Sequence, residues 1–113
     1  MDIEERLNFI EFRQQLLFQN DALSRLLFEY KISEKQYNAI MDVMDLYSDL
    51  IVKGEPISNG SFENSIYEKI PEKQGNYHFC EYIAKAFYDE KRWPEVFTTL
   101  YGKLPKYNYI FDK

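Results

Sequence analysis

The chain opens on apolar residues spaced for a helix: Ile3, Leu7, Ile10 and Leu17 follow an alternating four-three rhythm, with Gln14 at the remaining position of the seam. A half-buried strand alternates at every second residue, whereas this spacing returns to one side of a 3.6-residue helix. Two to three heptads of coiled-coil-like seam are implied, in which the polar Gln14 would fix register between subunits. Phe9, Phe12, Leu16 and Phe18 widen the apolar surface beyond a single stripe. The helix is therefore expected to touch more than one neighbour.

Helical punctuation continues down the chain. Asn20 and Asp21 break or cap, and Leu23, Leu26, Leu27 and Tyr30 describe a short second helix. Ser33 followed by Gln36 forms a capping box for a third helix running to about Lys53. Its apolar face carries Tyr37, Ile40, Met44 and Tyr47, and Asn38, Asp42, Asp45 and Asp49 line the opposite side. Residues 54–60 read as a loop, Ser61 as the cap of a helix bearing Phe62 and Ile66, and Asn76 as the cap of one bearing Phe79, Ile83 and Phe87. Pro94 and Gly102 frame a last short helix.

Beyond Pro105, Tyr107, Tyr109 and Phe111 stand at alternate positions and would share one side of an extended arm, laid over its own core or a neighbouring subunit. The expected fold is all-α: one domain over residues 1–113, a compact bundle of five to six helices with a long N-terminal helix packing between subunits. Residues 105–113 form its aromatic C-terminal arm.

Composition excludes several function classes. A chain of 113 residues supports one core. With Cys80 as the only cysteine and His78 as the only histidine, neither an intrachain disulfide nor a structural zinc site can be built. No basic segment leads an N-terminal apolar run, and no apolar stretch approaches the roughly 18 to 20 residues that span a bilayer. A cytoplasmic protein without membrane attachment is expected. Residues 1–60 carry 11 acids against 6 bases, which would repel a polyanion, so nucleic acid is not an expected partner.

Three stretches carry a family resemblance: IEERLNFIEFRQQLL from Ile3 to Leu17, LLFEYKISEKQYNAIMDVMDLYSDL from Leu26 to Leu50, and IAKAFYDEKRWPEVF from Ile83 to Phe97. Together they resemble the YhaI-like family, small uncharacterised proteins of Bacillus and related bacteria. The resemblance spans most of residues 3–100 by pattern more than by identity, and the loop over 53–78 and the tail beyond Gly102 lie outside it. It implies an all-helical, oligomeric protein, and it brings no catalytic residues with it.

Other constellations are weak. Asp42, Asp45 and Asp49 share a helix face and could hold a hard cation, but they lie opposite an apolar side and read as a solvated exterior. His78 and Cys80, two apart, point to different sides of a helix, which disfavours a nucleophile–base pair. Leu23 to Tyr47 mimics a helix-turn-helix with Lys35, Gln36 and Asn38 as readers, yet its second helix runs into the aspartates. Lys85, Lys91, Arg92, Lys103 and Lys106 are interleaved with acids and read as ordinary surface. Phosphate-binding glycine motifs and a nucleophile elbow are absent. No enzyme activity, cofactor or metal is expected.

The aromatic share is 18%, more than one small core would need, and aromatic rings favour interface centres. The expected interface therefore comprises the seam Ile3, Leu7, Ile10, Gln14 and Leu17 with Phe9 and Phe12, and the tail rings Tyr107, Tyr109 and Phe111. The primary functional expectation is a self-associating interaction or regulatory protein. An adaptor or inhibitor of a different protein, such as a host regulator or phage counter-defence factor, is the alternative, and a metal-dependent hydrolase on the acidic row is the weakest.

Overall fold

Side-chain caps set the helix boundaries. The computed structural model describes residues 2–111, and among them every regular element is helical. Helix α1 (Ile3–Gln19) starts where the Asp2 carboxylate accepts the Glu5 N–H at 2.7 Å, satisfying an otherwise orphaned donor. It ends at Asn20, whose left-handed backbone (φ 49°) lets Asp21 cap α2 (Ala22–Glu29) at once. Ser33 and Gln36 form the expected capping box on α3 (Glu34–Val52). Helix α4 (Asn59–Lys69) begins three residues earlier than the sequence reading placed it. Ser58 and Ser61 cap each other's backbone N–H, and this reciprocal pair draws Asn59 and Gly60 into the first turn. Asn76 caps α5 (Tyr77–Asp89) and Pro94 opens α6 (Pro94–Tyr101), both as the sequence indicates.

Helix α5 is the axis of the core. Phe79, Cys80, Ile83, Ala84 and Phe87 on it are completely buried, and α2, α4 and α6 pack around it. Helix α3 closes the other side against α4 and α6, and α1 packs chiefly on α2. Part of the aromatic surplus is absorbed here. Phe62 meets Tyr47 edge-on at 5.3 Å between ring centres, Phe87 meets Trp93 at 5.2 Å, and Phe97 meets Tyr107 at 4.9 Å. Of the rings assigned to a partner surface, Phe12, Tyr47 and Tyr107 are instead buried in the core, whereas Phe18, Tyr109 and Phe111 stay exposed.

The tail is not an extended arm. Residues Pro105–Tyr107 form a 3-10 turn and Asn108–Phe111 a short helix, α7. Proline's fixed φ suits the opening turn, and helical spacing lets Tyr107 and Phe111 share one side, against Phe97, while Tyr109 points away. Two residues of the arm as expected, 112 and 113, lie outside the described residues.

The radius of gyration is 14.8 Å, against about 13 Å for a compact domain of this size, and the extents are 47 × 28 × 23 Å. Helix α1 accounts for the elongation: from Ile3 to Asn8 every residue is exposed, and burial starts at Phe9.

Candidate functional site

Helix α1 carries two apolar stripes on opposite sides. At 100° per residue, Phe9, Phe12 and Leu16 form one, and Ile3, Leu7, Ile10, Gln14 and Leu17 form the other. The first stripe meets the body of the protein. Phe12 and Leu16 are buried, and the Phe12 ring lies 6.2 Å from that of Tyr37 on α3. Arg13 fastens the same side, donating to the Phe28 carbonyl at 3.0 Å with its guanidinium 3.8 Å over the Phe28 ring.

Among the described residues the second stripe has no such partner. Ile3, Leu7, Ile10 and Leu17 are 75, 55, 50 and 58% exposed, and Phe18 beside them is 93% exposed. Gln14 is exposed among them. Single exposed apolar residues are normal on any protein, but a contiguous row along one helix marks a contact surface. Of the expected interface residues, the structure thus brings the five seam positions together on one open face.

The others fall elsewhere. Phe12 belongs to the protein's own core, because it lies on the side of α1 that α2 and α3 cover. Phe9 is half-buried beside Arg13. Tyr107 is buried against Phe97, and Phe111 is only partly exposed against Tyr88 and Phe97. Tyr109 remains open, far along the chain from the seam, beside Lys106 and Tyr107.

Set against known proteins, the chain matches no family model, no curated protein and no solved structure. What its surfaces can do follows from their chemistry alone.

The remaining candidates do not assemble into a reactive centre. Asp42, Asp45 and Asp49 stand exposed on the outer side of α3, and among the described residues no three His, Cys, Asp or Glu side chains converge closely enough to hold a metal ion. His78 is exposed and lies against Tyr77, 4.2 Å between ring centres, whereas Cys80 is fully buried. Burial pushes the Cys80 thiol up to about 12, only partly offset by its hydrogen bond to Tyr67, so at neutral pH it is an un-ionised, inert thiol. Gln36, a would-be base reader, is occupied by its capping box and by Glu72. Much of the basic flank is paired: Lys85 with Asp89 at 2.7 Å, Arg92 with Glu90 at 3.0 Å, Lys106 with Glu81 at 2.5 Å.

One buried polar cluster escaped the sequence reading. Glu81 is nearly inaccessible, and it accepts from the Tyr107 hydroxyl and from Lys106. Nearby, the Tyr101 hydroxyl donates to Glu63 at 2.7 Å. Burial, then the hydrogen bonds to these carboxylates, raises the pKa of both tyrosines; burial and Cys80 raise Tyr67 to about 12. These groups hold their protons and fasten the tail and α4 to α5 and α6 to α4; their role is cohesion. A polar residue on an apolar helix face was the available signal, but its partner lies 26 residues away.

Clefts also open on the surface, one of about 460 Å³ along Glu11, Gln14 and Phe18 at the edge of the seam and two more beside α1. One of about 470 Å³ lies between α1, α2 and α3 beside Arg92, whose guanidinium is already bonded to the Tyr37 hydroxyl at 2.8 Å and to Glu90. Another of about 610 Å³ runs beneath the first turns of α1, between Phe9 and the α2–α3 turn.

Proposed function

We propose that this chain is a self-associating protein–protein interaction module, a cytoplasmic regulatory protein whose subunits join through the outer stripe of α1. The observation that carries this reading is the open row Ile3, Leu7, Ile10 and Leu17 on a helix whose opposite side already serves the core. A helix end projecting into water, with no more than two turns of local hydrogen bonds, is marginal by itself. Covering its apolar side stabilises both the helix and the assembly. The resemblance of those three stretches to the YhaI-like family, which implies an oligomeric protein, points the same way.

Sedimentation equilibrium at micromolar concentration tests it, with a reversible oligomer expected. Ile10→Asp should leave a folded monomer, because Ile10 touches no core and a surface change of this kind alters stability by about 0.5 kcal/mol at most. A strict monomer in the unaltered protein would remove the proposal. Recovery of one foreign protein at equal stoichiometry, with no self-association, would replace it by the adaptor.

A further inference from the structure

The charged residues beside the seam assign a direction to the contact. In heptad terms Leu7 and Gln14 occupy a positions and Ile3, Ile10 and Leu17 d positions. Glu4, Glu11 and Phe18 then fall at e, along one edge of the stripe, and Arg6 and Arg13 at g, along the other. One edge is acidic and aromatic, the other basic. Glu4, Arg6 and Glu11 are exposed, and none of them forms an ion pair among the described residues. We infer, resting on the self-association proposed above, that α1 pairs with α1 of a second copy in parallel and in register.

Two features support this direction over its reverse. In a parallel pair, each g residue faces the e residue five positions later on the partner. Arg6 then meets Glu11 of the second copy, twice by symmetry. In an antiparallel pair g meets g and e meets e, so arginines would face arginines and glutamates glutamates.

The second feature is Gln14. In-register pairing sets its amide opposite the same amide, and each group can donate to and accept from the other. An antiparallel register that keeps a facing d and covers Gln14 sets it opposite Ile3, Ile10 or Leu17 and strands a buried amide. A symmetry axis along the seam leaves the body of each protein, on the Phe12 and Leu16 side of α1, turned away from the axis. Leu at a with Ile at d favours more than two strands in free coiled coils. The same parallel register holds around such an axis too.

Cysteine cross-linking reads the direction. Ile3→Cys should form a disulfide between copies under mild oxidation, since only parallel, in-register helices bring the two positions face to face. In mixtures of Ile3→Cys with Gln14→Cys, and of Leu7→Cys with Leu17→Cys, no disulfide should join the unlike variants, each cross-linking only with its own kind; the unlike positions meet only in the two antiparallel registers of greatest overlap. Cys80 is fully buried and contributes no background. Glu11→Arg should weaken association about tenfold, and adding Arg6→Glu should restore it. A disulfide between the unlike variants of either mixture, while they still sediment as oligomers, overturns the direction and leaves self-association standing. Loss of association in the unaltered protein removes both.

Discussion

At the scale of single residues, two lysines and one glutamate are the informative positions. Lys31 and Lys91 adopt left-handed backbone angles (φ 58° and 62°), where a Cβ is crowded by the neighbouring carbonyl. Both side chains are exposed, so glycine would relieve the strain without opening the core. Lys31→Gly and Lys91→Gly should each raise stability by about 0.5–1 kcal/mol in urea unfolding, the gain in αL geometry outweighing the entropy added to the unfolded chain. Glu81 poses the opposite case, a buried carboxylate held by Tyr107 and Lys106. Tyr107→Phe keeps the ring against Phe97 but removes a hydrogen bond to a charged group. Stability should fall by about 1.5–3 kcal/mol.

At the scale of elements, the two stripes of α1 separate folding from association. Phe12→Ala should cost about 3–5 kcal/mol in denaturant midpoint measurements at concentrations where the protein is monomeric. Leu7→Ala, on the other stripe, should leave that midpoint within about 0.5 kcal/mol and act only on the oligomer. Ser33→Ala should lower stability by about 1 kcal/mol through loss of the capping box on α3. Such local chemistry explains how much could be read in advance. Helix starts at Asp2, Asp21, Ser33 and Asn76 depend on side chains within three residues of the donor they satisfy, so the sequence displays them directly. Which side of α1 would face inward was not displayed, because both sides are apolar and only the positions of α2 and α3 decide it. The tail was misjudged for a related reason. Alternation suggested an extended arm, but the docking of Tyr107 and Phe111 against Phe97 favours helical turns.

At the scale of the whole molecule, the core depends on groups that keep their protons. Tyr67, Tyr101, Tyr107 and Cys80 all have pKa values raised by burial above the ordinary 10 for tyrosine or 9 for cysteine. Each group binds its proton more tightly folded than unfolded. Its contribution is complete below the unfolded pKa and is lost as pH climbs through the folded one. Thermal midpoints should hold steady through neutral pH and then decline from about pH 9 upward, with Tyr101→Phe flattening the decline. A midpoint that stays level to pH 11 would contradict this account of the core. The enclosure of Cys80 has a practical corollary. A thiol reagent can reach that sulfur only after α5 parts from its neighbours, so the rate of alkylation under native conditions becomes a clock for the opening of the entire bundle, with no dye or engineered probe required.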